Sequence, residues 1–441
     1  MKKSRIILGL GNGDEGKGTM TDWFCREYGA TLVVRYNGGS QAGHNVVLRD
    51  GRHHTFRQIG SGAFIKGVKT LLSRHVFFDP ITLCFEARQL SEEAGRYVLG
   101  CHFVDCRAPV ITPFHVATNR IKEFLRGTAK HGSCGKGIGE AAYDLVNYPE
   151  EVIRAGDLEW REKTVPALKR LRERKRVELL SLGADFSDMP KHLKSSANLF
   201  LAEKIEEIAK AYAEISQEIT IVSQEGSEAL IRENDSVFEG AQGVLLDEWH
   251  GFHPHTTWST TVQKNALELL RESCFDGEIE TIGITRAYAT RHGEGPFVTE
   301  DSAMRNAYLG EDNRKSVWQG NFREGFLDLV ALRYAVECAE AYGHLDSVVV
   351  THLDVFDRVE KVFYCDEYLF ADGHKTKALS PQYEHDLAYQ EGLTQSLVNA
   401  RPIYAGAAMT AVDATRIIQT SLSVPVKYGS YGQTEGDKSR V

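Results

Sequence analysis

The chain has 441 residues, 42% hydrophobic and 26% charged, enough apolar material for a large core without disulfide staples. A formal net charge of −9 argues against a broad basic surface, so no nucleic-acid partner is expected. No apolar run reaches the roughly 18 residues of a membrane span, and eight cysteines with no CxxC pair suggest reduced thiols and a cytoplasmic protein. In chain order, residues 5–10 (RIILGL) read as a buried strand. The stretch GNGDEGKGT, residues 11–19, follows at once, and residues 19–28 read as the next helix. Residues 31–36 are a second strand, and the block VVRYNGGSQAGHNVV, residues 33–47, has strand-like ends around a glycine-rich centre. Residues 116–217 are richer in long, charged helical segments, at 158–180 and 199–216, and read as an inserted helical subdomain. The basic run KRLRERKR, residues 169–176, is interleaved with Leu171 and Glu173 and reads as a solvated helix face. Short strands return at 237–239, 281–285 and 347–352, with a helix over 326–342 and a last strand at 424–428.

This alternation predicts an α/β fold, a mostly parallel central sheet flanked by helices and P-loop-like in its first turn. Residues 1–441 form one domain in this reading, with 116–217 as its helical insert.

The first glycine loop carries the chemistry. Strand, glycine loop and helix together are phosphate-binding architecture, because glycines let backbone N–H groups converge on phosphate oxygens at a helix N-terminus. Lys17 would neutralise charge there, and Thr19 or Thr21 would cap the helix. The spacing departs from GxxxxGK[ST], since Gly18 follows Lys17. Asp14 is the unusual element, because a carboxylate beside phosphate is repulsive unless a cation lies between them. It is a candidate Mg²⁺ ligand, or a base for a substrate that then attacks the γ-phosphate. His44, in the second glycine-rich stretch, is a candidate donor to a β- or γ-phosphate oxygen.

Seven segments occur in order between residues 6 and 357: GDEGKG, VVRYNGGSQAGH, GKGIGEAAYD, FEGAQGVLLD, ATRHGEGPFVTE, EGFLD and THLDVFD. Together they resemble the adenylosuccinate synthetase family. The resemblance implies an NTP-dependent ligase that phosphorylates the 6-oxo group of a purine and displaces that phosphate with the amino group of aspartate. It makes Asp14 the base and a Mg²⁺ ligand, His44 an acid toward the transferred phosphate, and Gln242 a contact to the oxo group. Lys17 joins them as a catalytic residue. Gly13, Glu15, Gly16, Gly18 and Thr19 would hold the triphosphate, with Gly43 offering its carbonyl to the metal. His352 and Asp354 would meet the nucleotide base, and Gln41, Ser133, Cys134, Lys136, Thr257 and Arg323 the other substrates. GTP is the implied co-substrate, with ATP as the alternative. The implied partners are small molecules, a purine nucleotide or nucleoside and an amino acid, and a second copy of the chain in a homodimer.

Several positions depart from the family pattern. The loop carries Asn12 for tryptophan and Thr19 for lysine, and Gln41 stands for asparagine before AGH. Cys134 and Lys136 replace a threonine and an arginine. No cation appears between Leu145 and Glu151, where the family places an arginine that reaches across the dimer. The arginine-rich carboxylate clamp is thinned to Arg323, with Arg314 and Lys315 as shifted candidates, and His352 replaces a lysine. The expectation is oxygen-phosphorylating chemistry with altered substrate recognition. The alternatives are a kinase that stops at the phosphorylated acceptor and a regulatory nucleotide-binding paralogue without turnover. The HGFHPH run, residues 250–255, reads as a substrate loop rather than a zinc site, and His53 and His54 as part of a surface turn after Asp50 and Gly51.

Overall fold

The computed structural model describes residues 1–127, 132–305, 315–316 (backbone only) and 320–441. Arg314 and the side chain of Lys315 therefore lie outside the described residues. The core is a ten-stranded sheet. Its strands are β1 (Lys3–Gly9), β2 (Leu32–Arg35), β3 (Lys69–Leu72), β4 (His102–Asp105) and β5 (Thr220–Val222), then β6 (Ser236–Gly243), β7 (Glu278–Arg286), β8 (Ser347–Thr351), β9 (Val426–Ser430) and β10 (Lys438–Arg440). They run in the order β10-β9-β8-β7-β1-β6-β2-β3-β4-β5. Every pair is parallel except β9 with β10. Ile6, Ile7 and Leu8 in β1 are fully buried, as befits a central strand covered on both faces. In β1 the pleat is locked between β7 and β6, where Ile6 faces Thr281 on one side and Phe238 on the other.

The strands expected from the sequence fall on observed ones with different ends: those at 237–239 and 281–285 extend further, those at 31–36 and 347–352 are shorter, and that at 424–428 is displaced to Val426–Ser430. Residues 237–239 are the middle of β6, which continues to Gly243 and so carries Gln242 on its end. Block 33–47 divides: its first part ends β2, while His44–Val47 leaves the main sheet and pairs with His53–Phe56 in a hairpin. His53 and His54 are thus strand residues just past the turn, and His54 is buried against Glu93 with Nδ1 to Oε2 at 2.6 Å.

Between β4 and β5 lie the helices Pro113–Leu125, Ile138–Asn147, Arg161–Ser181, Lys194–Leu201 and Ile205–Glu218. Thr112 caps the first, exchanging hydrogen bonds with His115. The segment expected as one helix over 199–216 is two, broken at Ala202, whose backbone is extended. The basic run on Arg161–Ser181 is not wholly solvated. Lys175 is 1% exposed and pairs with Glu140 and Asp144, because its position on the helix points it into the bundle. Four of these helices share one apolar cluster with β3, β4 and the hairpin, while Ile138–Asn147 packs with Phe77 and Ile111 in another.

The helix expected from 326 begins at Leu329, since Asp328 caps it by accepting from Ala331 N, and Leu327–Asp328 pairs in parallel with Tyr364–Cys365. A continuous apolar run conceals that change from strand to helix. The tail is richer than its polar sequence suggests: Arg401–Ala408 pairs antiparallel with Val362–Leu369, and helices Leu387–Val398 and Ala411–Leu422 follow their caps Asp386 and Thr410.

Candidate active site

One cleft, about 1120 Å³, lies along the carboxyl ends of β1, β6, β7 and β8, the edge where parallel sheets bind ligands. The loop after β1 forms its floor. Gly16 adopts φ 88° at the entry of helix Lys17–Tyr28, a left-handed turn that favours glycine. At Gly18 a side chain is excluded, since its Cβ would lie 2.6 Å from the Cβ of His44. The glycines therefore let the loop and His44 share one wall.

The two adjacent acids of the loop separate. Glu15 is 2% exposed and turns inward, where its Oε1 accepts from Gly11 N at 3.1 Å and Gly13 N at 2.7 Å. Its Oε2 accepts from Lys17 Nζ at 2.5 Å. Glu15 shapes the loop from beneath and does not line the cleft, whereas Asp14 does, at φ 60° and with no side-chain partner among the described residues. Two strand ends hold the same peptides: Arg286 Nε donates to Asp14 O at 2.6 Å, and Thr351 Oγ1 donates to Glu15 O at 2.7 Å.

Lys17, His44 and Gln242 join Asp14 on the cleft wall. His44 Nδ1 donates to Glu239 Oε1 at 2.6 Å. Glu239 also accepts from Ser61 N at 3.0 Å and Ser61 Oγ at 2.5 Å, and faces Arg35. Burial alone would raise the Glu239 carboxyl, but Arg35, His44 and Ser61 outweigh it and hold the group down at about 2, so it stays an anion. Burial pushes His44 below the ordinary histidine value against the pull of Glu239, which leaves the imidazole neutral with its Nδ1–H committed to the carboxylate. Gln242 sits at φ 64°, and Gln41 Nε2 donates to its Oε1 at 3.2 Å.

At one end of the cleft lie Gln41, Gly43, Ser133, Cys134 and Thr257. Asn119 Nδ2 donates to Ser133 Oγ at 3.0 Å. Burial raises the Cys134 thiol and lowers the Lys136 ammonium, which also feels the charge of Arg57; Lys136 is not among the residues lining the cleft. At the other end lie Thr19, His352, Asp354 and the 430–433 turn, with Thr19 Oγ1 donating to Gln433 O at 3.2 Å. His352 is held in the left-handed region at φ 55°, and burial with the charges of Arg286 and Arg358 keeps it well below the usual histidine range.

Arg323 does not reach the cleft. Its guanidinium grips Glu300 at 2.5 and 2.9 Å and donates to the carbonyls of Gly293 and Gly295, because strand Gly320–Gly325 turns it toward that edge. Arg291, 2% exposed, does line the cleft, donating to Asn12 Oδ1 at 2.7 Å, Glu294 O and His255 O. His250 bonds Tyr342 OH at 3.0 Å, and among the described residues no group of three or more His, Cys, Asp or Glu side chains could hold a metal. Reading the sequence missed Glu239, Ser61, Arg286 and Asn12 as parts of one site. FEGAQG, in which Glu239 lies three before Gln242, held the only local signal.

A glycine loop between strand and helix, at the carboxyl edge of a parallel sheet, defines a nucleotide-binding α/β protein. The family model for adenylosuccinate synthetase matches residues 6–438. The adenylosuccinate synthetase of Photobacterium profundum is 32% identical, covering 98% of this chain and 96% of that protein. The enzyme of Vibrio parahaemolyticus is 34% identical over 85% and 82% of the two chains. A fully ligated adenylosuccinate synthetase from Plasmodium falciparum superposes with TM-score 0.76 at 21% identity, covering 98% of both chains. The succinoaminodeoxyadenylate synthetase of cyanophage S-2L, bound to dGMP and to dATP as an energy donor, superposes with TM-score 0.59 at 15% identity, covering 100% of this chain and 95% of that one. The chain belongs to the adenylosuccinate synthetase family: it is a nucleoside-triphosphate-dependent ligase forming carbon–nitrogen bonds, and the family works in purine biosynthesis with Mg²⁺ and GTP. No helix among the described residues is long and apolar enough to cross a membrane.

Proposed function

We propose that the chain phosphorylates the 6-oxo group of a purine-like lactam from GTP or ATP and displaces that phosphate with an amine, by family default aspartate. The observation that carries this is Asp14. Its unpartnered carboxylate shares one cleft wall with the His44–Glu239 pair and Gln242. Asp14 takes the proton from the lactam N–H, and the 6-oxygen attacks the γ-phosphorus as the bond to the β–γ bridging oxygen breaks. Gln41 fixes the Gln242 amide, so that its N–H₂ faces the lactam oxygen. His44 takes up a proton when the triphosphate's charge lies beside it and donates from Nε2 to the transferring group, with Glu239 supporting the imidazolium. Phosphorylation thereby turns a poor leaving group into a good one, and an amine then attacks C6, loses a proton and displaces phosphate.

The Asp14 carboxylate and the Gly43 carbonyl are hard oxygen donors and suit Mg²⁺, which takes few protein oxygens and keeps phosphate oxygens and water. When bound, the ion offsets charge on the β- and γ-phosphates.

Gln41, Cys134 and the engagement of Arg323 with Glu300 support a reading in which recognition is altered at the acceptor and amine ends. The acceptor screen therefore includes IMP, dIMP, GMP, dGMP, nucleosides and free bases, each with ATP or GTP and with or without aspartate. Acceptor-dependent phosphate release with an amine-dependent product supports the ligase. Phosphorylation that ignores the amine supports the kinase alternative, and triphosphate binding without cleavage in any mixture supports a regulatory paralogue. We also propose a cytoplasmic homodimer, on the reading that all eight thiols are free and that Tyr143, Val146 and Trp258 expose an apolar face near the cleft. A monomer mass in light scattering contradicts the dimer.

A further inference from the structure

At the far end of the cleft, Arg358 Nη1 donates to Asp354 Oδ2 at 2.8 Å. Both side chains line the cleft and are about one-fifth exposed, at 22% and 23%. The pair spans the single turn Leu353–Asp357, with Arg358 immediately after it. Facing it is the turn at Gly432 and Gln433, whose carbonyls are fixed by Lys438 Nζ, donating to Gly432 O at 3.0 Å and Thr434 O at 2.5 Å, and by Thr19. A partly exposed ion pair of this kind contributes little to stability. Its placement on the cleft wall puts it among the groups a bound nucleotide can touch.

A bare carboxylate there has a strong preference. Guanine offers adjacent N1–H and N2–H₂ donors to it, whereas adenine brings the N1 lone pair against its charge. Arg358 changes that. The pair presents a cationic donor beside an anionic acceptor. Guanine meets it with O6 toward the guanidinium and N1–H toward the carboxylate, and adenine with N1 toward the guanidinium and N6–H toward the carboxylate.

We propose that Arg358 is the specificity-determining residue of the base pocket, and that by pairing with Asp354 it lets the site accept adenine and guanine triphosphates alike. This rests on the reading that the cleft takes a nucleoside triphosphate along the loop of residues 13–19. The test is calorimetric titration of the full chain, in Mg²⁺, with the β,γ-imido analogues of GTP and ATP, which needs no turnover. The wild type binds the two within about tenfold. Arg358→Leu shifts the ratio toward the guanine analogue by at least about tenfold, the worth of one good base contact, while Arg358→Lys keeps the wild-type ratio. A wild type that already discriminates by more than about a hundredfold, or an Arg358→Leu ratio equal to wild type, overturns the inference and leaves the triphosphate reading standing. Binding of neither analogue overturns both. Should Arg358→Leu not fold, Asp354→Asn decides: weakening of both analogues together supports the shared pair, and weakening of the guanine analogue alone overturns it.

Discussion

His44 and Glu239, 195 positions apart in the chain, meet at 2.6 Å, and Ser61 closes the same carboxylate from the other side. An anionic Glu239 makes it easier for His44 to carry a proton beside phosphate. The sign follows directly. Removing the anion lowers the His44 value further, so the proton is lost at lower pH. For Glu239→Gln we expect the alkaline limb of the kcat–pH profile to move to lower pH and kcat at neutral pH to fall by about a hundredfold. Ser61→Ala, which keeps the charge, moves the limb less. An alkaline limb unmoved in Glu239→Gln excludes the acid role of His44.

Asp14→Asn keeps the shape of the loop, because Arg286 holds the Asp14 carbonyl rather than its side chain. Phosphoryl transfer is expected to drop by about a thousandfold or more, with triphosphate affinity within a few-fold of wild type. Turnover that survives the change removes Asp14 from the base role.

Gln41 acts through Gln242. Gln41→Asn shortens the reach by one methylene and breaks the 3.2 Å hydrogen bond. The expected result is a drop of about tenfold in kcat/KM for the acceptor, near the worth of one or two hydrogen bonds, with no change in triphosphate Kd. Equal loss in both measurements points to general loosening of the loop.

Stability should fall in mild acid. His102 is buried with Nδ1 donating to Val98 O at 2.8 Å, and burial lowers it to about 4. An unfolded histidine near 6.5 binds a proton that the folded one refuses. The stability from this site is complete above pH 6.5 and is lost as pH falls through about 4, by roughly 3 kcal/mol. Urea unfolding at pH 7.5 and 4.5 measures it, and His102→Gln should flatten the difference. An unchanged slope assigns the acid sensitivity to other groups.

Local signals carried much of the architecture. The strand, loop and helix of residues 5–28, the parallel sheet and the helical stretch between β4 and β5 follow from apolar period, glycine spacing and caps, which act over a few residues. The glycine-rich stretches marked Asp14, Lys17 and His44 as candidates for phosphate chemistry, and the family resemblance added Gln242. They could not say which of Asp14 and Glu15 faces the cleft, since that depends on Gly11 and Gly13 amides and the Lys17 ammonium meeting one carboxylate. Nor could they show that Arg323 is spent on Glu300 while Arg291 reaches the cleft from under Asn12. Arg358 was within reach of the sequence, four residues after Asp354, yet the i,i+4 spacing matters only once a one-turn helix faces the cleft.

The sequence by itself determined the layers of this protein and the kind of chemistry its first loop carries, because burial period and backbone freedom are properties of neighbouring residues. Only the tertiary structure decided which acid is free, which histidine is supported and which arginine is already engaged. Those outcomes depend on charges brought together across hundreds of residues, where a few ångströms separate a ligand contact from a structural one.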